Sequence, residues 1–525
     1  MIERIGDELI FSYPGREKAM AKYKPYDYSQ RMMIPVSLEE QLVPGTLEFA
    51  IQALVEDRMD MEVFEARYQN DETGRMAYDP KILLKVVLLG YARGLISSRK
   101  MEQACRENVT FMALACGQRP DHSTLAAFVS SMQGEIKVLF RDVLLVCEES
   151  GLLGGTVFAL DGCKLPSNAS KEWSGKISDL VRKKEKMEKR VTELLERQVE
   201  ADKKDDKEEG DPDIFRGVNR AKQVERLRRK AERIREFLKG HGEKMGRTGK
   251  EIKSNVTDNE SANMMTSHGV VQGYNGQAMV DGKFQVIVHG EAFGEGQDHY
   301  HVGPMVAGAK ENLQTLGHPG DCLEGKFLVA DSNYSSPANL GVCEEEKLAA
   351  YIPDKNFRTR DARFATQERW GAGRREKFGS EDFRYREDRD EYVCPGGKIL
   401  HRFAKRAVVC GVIYRRYRAN REDCLSCEFR ERCLKGKVMK GRYLSVSVGA
   451  VPGNLLKEMA RKVDTERGRE IYHQRIGIVE PVFANIRAVK GLDRFTLRGK
   501  IKVNIQWMLY CLVHNIGKVM SYGFA

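Results

Sequence analysis

The chain has 525 residues, 41% hydrophobic and 31% charged, enough apolar material for real cores and for two to four domains. With 87 Lys and Arg against 76 Asp and Glu, the net charge is +11, a surplus that favours a polyanionic partner, nucleic acid above all. The charged opening MIERIGDELIFSYPGREK has no secretory-leader core, and the longest apolar stretch, around Ile82 to Gly90, is too short to span a bilayer. A cytoplasmic protein with no membrane partner is expected, so its 12 cysteines read as core residues or metal ligands rather than disulfides.

Residues 1–152 read as helical. Ile82, Leu83, Val86 and Leu89 recur at helical spacing behind Pro80, a good first-turn residue, and Gly94 ends the run. Ser97 and Ser98 cap a helix expected over Met101 to Leu114. Asp121 caps a third, with the stripe Leu125, Phe128, Met132, Ile136, Leu139 and Val143. Short helices with polar turns suit a helix-turn-helix DNA reader, and equally any small bundle.

The run TVFALDGCKLP then reads as a buried strand ending at Asp161-Gly162. Residues 171–250 are a charged interruption. Leu180, Met187 and Leu194, then Val224, Leu227, Ala231, Ile234 and Leu238, are spaced as coiled-coil seams, joined through the acidic turn DKKDDKEEGDPD. Two antiparallel helices are expected, with a solvated single helix as the bland alternative. GYNGQAMVDGKFQVIVHGEAF is a hairpin turning at Asp281-Gly282. Next come a helix over 301–315, the strand KFLVADSNYSS ending at Asp331, a helix over 336–348 and the strand LAAYIPD. A basic, cysteine-bearing stretch at about 355–440 precedes a helical C-terminal region. The expected class is α/β, with polar chemistry at strand ends.

Asp161 and Asp331 each end a separate apolar strand. On adjacent strands their carboxylates would repel and raise each other's pKa, a conflict that Mg²⁺ relieves. Either aspartate alone is as readily a turn or helix cap. Near the C-terminus, Glu480 precedes Pro481, and proline cannot bond back to the Gly477 carbonyl, so a helical segment is expected to start at Glu480. Arg487 lies seven residues on, along the same face, and Tyr472 and Arg475 sit three apart before it. An exposed charge pattern would look the same. His122 at a helix start and His268 before the hairpin read as structural.

In this order, Asp-Gly at one strand end, Asp-x-x-Tyr at another, then Tyr-x-x-Arg, Glu and a basic residue seven later, the chain resembles the DDE transposases of bacterial insertion sequences. It is similar to the branch with a helical N-terminal domain and a cysteine-rich insertion. The segments DHSTLAAF, DGCK, TDNESANM with GYNGQAMVD, VADSNYSS, VEPVFANIR and FTLRGKIKVN carry the likeness. It implies a ribonuclease H-like core over 153–170, 251–390 and 446–525. A helical hairpin at 171–250 and a cysteine-rich insertion at 391–445 interrupt that core, behind a DNA-binding domain at 1–152.

The resemblance makes Asp161, Asp331 and Glu480 the ligands of catalytic Mg²⁺ or Mn²⁺, and gives Tyr472, Arg475 and Arg487 to DNA. It implies nicking and strand transfer at terminal inverted repeats by two-metal phosphoryl transfer. Three departures stand out: Arg487 replaces lysine, Arg475 and Glu480 are one residue further apart than the common pattern, and Cys163 stands where threonine is frequent. Cys394, Cys424, Cys427 and Cys433 have structural-zinc chemistry, with Cys410 as a rival ligand and a reduced, metal-free loop as the alternative. Arg415, Arg416, Arg418 and Arg421 among them suit DNA backbone. The expected partner is double-stranded DNA, bound by a homodimer paired through the helical hairpin. Competing readings are a catalytically inactive DNA-binding regulator and a host nuclease on the same core. Asp258 reads as a helix cap or a substrate contact.

Overall fold

In the computed structural model the chain is described over residues 2–5, 8–11, 35–67, 76–205, 214–246, 249–266, 269–364, 378–409, 412–434, 441–447 and 452–523. Strands β1 (Ile2–Ile5) and β2 (Glu8–Phe11) pair antiparallel as a hairpin, where helix was expected, in a unit of their own.

Six helices follow: α1 (Leu47–Asp57), α2 (Pro80–Ala92), α3 (Ser98–Glu107), α4 (Val109–Leu114), α5 (His122–Ser130) and α6 (Glu135–Glu149). Their caps explain their starts. Asp79 accepts from the Lys81 amide at 2.8 Å ahead of Pro80, and Asp121 accepts from the Ser123 and Thr124 amides at 2.9 and 3.0 Å. The helix expected over Met101 to Leu114 is two helices. Asn108 ends the first and caps the second, accepting from the Thr110 and Phe111 amides at 3.0 and 3.3 Å. The stripe from Leu125 to Val143 also divides, into α5 and α6, while all six of its apolar residues stay buried.

β3 (Val157–Pro166) is followed by β4 (Ser174–Gly175), then α7 (Ile177–Asp205) and α8 (Ile214–Gly240), and β5 (Ser254–Asn255), which pairs with β4. Leu180 packs with Ile234 and Phe237, and Leu194 with Val224, so α7 and α8 lie antiparallel along their apolar seams. Most of the acidic turn, residues 206–213, lies outside the described residues.

The main sheet then completes: β6 (Ala262–Thr266), β7 (Gly269–Asp281), β8 (Ile287–Phe293), α9 (Val302–Thr315), β9 (Phe327–Ala330), α10 (Pro337–Glu345) and β10 (Ala349–Tyr351). Its order is β10-β9-β3-β7-β6, with β8 also on β7. β9 is parallel to β3 and to β10, and β7 is antiparallel to β3, β6 and β8. The β7–β8 hairpin is wider than a two-residue turn. Asp281 N–H donates to Val286 O at 2.8 Å, and Asp281 Oδ1 accepts from the Lys283 amide at 2.9 Å.

After α11 (Phe357–Arg360) comes a second, antiparallel sheet: β11 (Arg384–Arg386), β12 (Glu391–Val393), β13 (Ile399–Val409), β14 (Val412–Ala419) and β15 (Tyr443–Ser447), paired in chain order. α12 (Arg421–Leu425) and α13 (Arg430–Cys433) lie between β14 and β15 in sequence. Phe383, Leu400, Tyr417, Cys424 and Leu444 form this unit's separate small core.

The chain closes with α14 (Pro452–Asp464), α15 (Glu466–Ala484), a π-helical turn (Asn485–Val489) and α16 (Lys500–Lys518). Contrary to expectation, α15 runs straight through Pro481. The Gly477 carbonyl that proline cannot serve accepts from Gln285 Nε2 at 3.1 Å instead, so the lost bond is replaced from the β7–β8 loop. α16 lies against the sheet. Trp507 Nε1 donates to Gln277 O at 2.8 Å, and its ring covers Gly276, where a Cβ would meet it at 3.1 Å. Tyr91 of α2 meets Tyr510 of α16 edge-on at 5.1 Å, so the N-terminal helices and the sheet share one apolar core. No helix among the described residues is long and apolar enough to cross a membrane.

Candidate functional site

Asp161 is not at the end of its strand, as the sequence predicts, but in the middle of β3. The long β7 keeps pairing with β3 out to Pro166. Pairing with β9 stops earlier, at Leu160 opposite Ala330. Asp161 and Asp331 are therefore the next two residues past the last rung of a parallel pair, side by side. Asp161 accepts from the Gly162 amide at 2.8 Å. Asp331 accepts from the amide and the side chain of Asn333 at 2.8 and 3.0 Å. Burial pushes Asp161 up to about 6, Asp331 adds to the rise, and Arg475 opposes it. Burial also raises Asp331, against the Asn333 amide and Arg475.

α15 crosses the sheet above this pair. Arg475, 7% exposed, donates from Nη1 to Asp161 Oδ2 at 2.7 Å, while its buried Nε has no hydrogen-bond partner among the described residues. Tyr472, one turn earlier, packs edge-on against Phe357 at 5.1 Å, and burial raises its phenol. Asp331, Ser332, Asn333, Lys355, Arg358, Tyr472 and Arg475 line a cleft of 380 Å³. The structure thus brings together Asp161, Asp331, Tyr472 and Arg475.

Glu480 stands apart from them. It is exposed and, among the described residues, makes no hydrogen bond or ion pair. The extra residue between Arg475 and Glu480 turns Glu480 about 100° further round the helix, and Val479 takes the buried direction. Seven residues on, Arg487 lies in the π-helical turn that follows α15. Arg487 is exposed and near Cys163, two residues beyond Asp161. Burial pushes the Cys163 thiol up to about 12, against the pull of Arg487.

Sequence reasoning missed a polar layer on the other face of the sheet. Gln277 pairs with Gly162, and Asn275 with Lys164. Both amides donate to buried Asp298 Oδ1, at 2.9 and 2.7 Å, and Tyr334 donates to Gln277 Oε1. Asp298 in turn raises Asp331. A Cβ at Gly162 would lie 2.0 Å from Gln277 Nε2, so the glycine of Asp-Gly is what lets this layer close over β3. Polar residues at alternate positions of GYNGQ, within an otherwise apolar strand, were the available signal. Asp258 is 6% exposed and its carboxylate is engaged within the fold. It accepts from Tyr274 Oη at 2.8 and 3.0 Å and from the Gly499 amide at 3.2 Å, tying β7 to the start of α16.

Cys394 follows β12, Cys424 sits on α12, Cys427 just after it and Cys433 on α13. A Cβ at Gly396 would lie 3.4 Å from Cys427 Sγ and 3.7 Å from Cys394 Sγ. Burial and the three other thiols raise Cys433 against the pull of Arg442. Backbone amides donate to two of the sulfurs, Lys398 to Cys394 and Arg442 to Cys424, each at 3.3 Å. Cys410 and His268 lie outside the described residues, and His122 pairs with Glu102 at 2.7 Å in the N-terminal helices. Among the described residues no three His, Cys, Asp or Glu side chains stand close enough together to hold a metal ion.

Residues 393–520 match the family model described as Transposase DDE domain, and residues 36–131 match the one described as Transposase domain (DUF772). The first spans Tyr472, Arg475, Glu480 and Arg487, and also Cys394, Cys424, Cys427 and Cys433. Asp161 and Asp331 lie outside both. No curated protein and no solved structure matches the chain.

Proposed function

We propose that the chain, which matches transposase family models on both sides of the main sheet, acts as a transposase of the DDE, insertion-sequence type that nicks DNA at terminal inverted repeats and joins the freed 3′ ends to target DNA. The observation that carries this reading is the pair Asp161 and Asp331 just past the last rung between parallel neighbours, beneath Arg475. Carboxylates so placed on a mixed sheet support a ribonuclease H-like core made of 153–170, 251–390 and 446–525.

Two half-buried carboxylates whose pKa values are both raised fit a divalent cation, Mg²⁺ or Mn²⁺, better than they fit each other. Asp161 and Asp331 would hold it, with Glu480 as the third ligand from the flank of α15. Bound there, such ions stabilise the attacking and leaving oxygens of a phosphoryl transfer. Arg475 exchanges the Asp161 carboxylate for a backbone phosphate, and its unpartnered Nε supplies the second prong of a bidentate grip. Tyr472, its phenol kept protonated by burial, donates to the strand, and Lys355, Arg358 and Arg487 add positive charge along the path.

The helices of 1–152 recognise the element ends in double-stranded DNA. The hairpin of 171–250 pairs two protomers as a homodimer. In the unit of 391–445, Cys394, Cys424, Cys427 and Cys433 are neighbours that would have to draw closer together to hold zinc, and the amide-to-sulfur bonds to Cys394 and Cys424 suit thiolate ligands. The offset of Glu480 favours one second reading, a DNA-binding regulator without cleavage.

Purified protein with labelled candidate ends and Mg²⁺ or Mn²⁺, run beside Asp331→Ala, separates the two. Metal-dependent nicking and joining, lost in the variant, supports the transposase chemistry, and joining beyond simple hydrolysis sets it apart from a host nuclease. Tight end binding with no nicking under either metal supports the regulator.

A further inference from the structure

The second sheet has two unlike faces. One carries Leu400, Tyr417 and Leu444 into the small core. The other is read directly from the strand register. Arg418 of β14 lies opposite His401 of β13 and opposite Tyr443 of β15, so these three form one rung across three strands. One rung along, Arg416 faces Ala404 and Ser445. The register shift between Arg402 and Ala404 inserts Phe403 as an extra residue, and its ring lies 4.7 Å from the Arg418 guanidinium carbon.

This face is open: Tyr443 is 61% exposed and Phe403 47%. Arg416 Nε is buried and has no hydrogen-bond partner among the described residues. The one carboxylate in the rung, Glu391 opposite His401, is already met by Arg386 at 3.3 Å, so it does not cancel the arginines.

Large aromatic rings left in water beside guanidinium groups are costly unless something covers them. A surface made only for duplex phosphates needs the cations and has no use for the rings. A flat platform of alternating rings and cations matches a strand whose bases are unstacked, with phosphates on the arginines and bases on the rings. We propose that this face of β13–β15 binds single-stranded DNA, with Arg416 and Arg418 on the backbone and Tyr443 and Phe403 stacking on bases. The inference rests on the reading of the chain as a DNA-acting transposase, whose cut ends would offer such a strand.

The test uses the full chain and a fluorescent single-stranded oligonucleotide, with a duplex of the same length as competitor. Tyr443→Ala and Phe403→Ala remove exposed rings and leave the small core intact, which circular dichroism checks. Each should weaken single-strand binding about tenfold with little change in salt dependence. Arg418→Gln should lower the log–log salt slope by about 0.7, the value for one phosphate on a single strand. Nicking of labelled duplex ends is measured on the same ring variants, which keeps this result separate from the nicking reading. Unchanged single-strand affinity in both ring variants overturns the proposal, as does a duplex that competes as well as the single strand. Nicking that persists in either case leaves the catalytic reading standing.

Discussion

Replacing Arg475 with methionine removes the only charged group hydrogen-bonded to Asp161 among the described residues and keeps most of the buried volume. With Asp161 held near about 6, the parent carboxylate is ionised at pH 8 and mostly protonated at pH 5. The sign follows from the direction of the shift. A carboxyl raised above its unfolded value contributes stability at low pH that is lost as pH rises toward the folded pKa. Arg475 opposes that loss, so without it Asp161 rises further and the loss continues above pH 6. At pH 8 a carboxyl forced to keep its proton forfeits two pH units at about 1.4 kcal/mol each, close to 3 kcal/mol. That agrees with the lower end of the roughly 3–5 kcal/mol cost of breaking a buried ion pair, as expected for partners 9% and 21% exposed. Urea midpoints of both proteins at pH 5 and pH 8 measure the difference. The gap should be wide at pH 8 and nearly closed at pH 5. An equal gap at both pH values would refute the charge-compensation role and leave Arg475 as mere packing.

Metal should compete with the same proton. Isothermal titration with Mn²⁺ is expected to show affinity falling about fivefold from pH 6 to pH 5, and a flat profile would remove Asp161 from the ligand set. Gly162→Ala places a Cβ onto Gln277 and should cost about 1–3 kcal/mol together with nicking; a variant with the parent's melting temperature and activity would show that the polar layer adapts freely. Asp258→Ala strands the Tyr274 hydroxyl and the Gly499 amide, an expected loss of about 2–3 kcal/mol that denaturant unfolding would detect or exclude. Elemental analysis should find zinc near one equivalent, and less than about half an equivalent would sink the four-cysteine site.

The two aspartates were legible in the sequence because each follows an apolar run, and strand ends are where a sheet can offer carboxylates. Their depth was not, since it depends on β7 outlasting β9 as a partner of β3. The placement of Glu480 followed from counting residues once α15 was known to be unbroken. That continuity depends on Gln285, far away in sequence, taking the carbonyl that Pro481 leaves. The Asp298 layer stayed hidden because its polar residues sit within a strand whose other members are buried. The second sheet escaped for a different reason. Its alternation is apolar against arginine and tyrosine on short strands broken by a bulge, so the stretch reads as merely basic.

The arrangement of the site along the chain has a consequence for synthesis. Asp161 and Arg475 are separated by 314 residues, and a ribosome adding about 5–20 residues per second needs on the order of 15–60 s to cover that distance. During that interval the cleft beside Asp331 is still open on the side that α15 later covers. Chains cut short before α15 carry both aspartates and none of the clamp above them. Arg475 is therefore the last of these site groups to be placed, and an interrupted message yields a chain with the carboxylate pair and without the arginine that faces it.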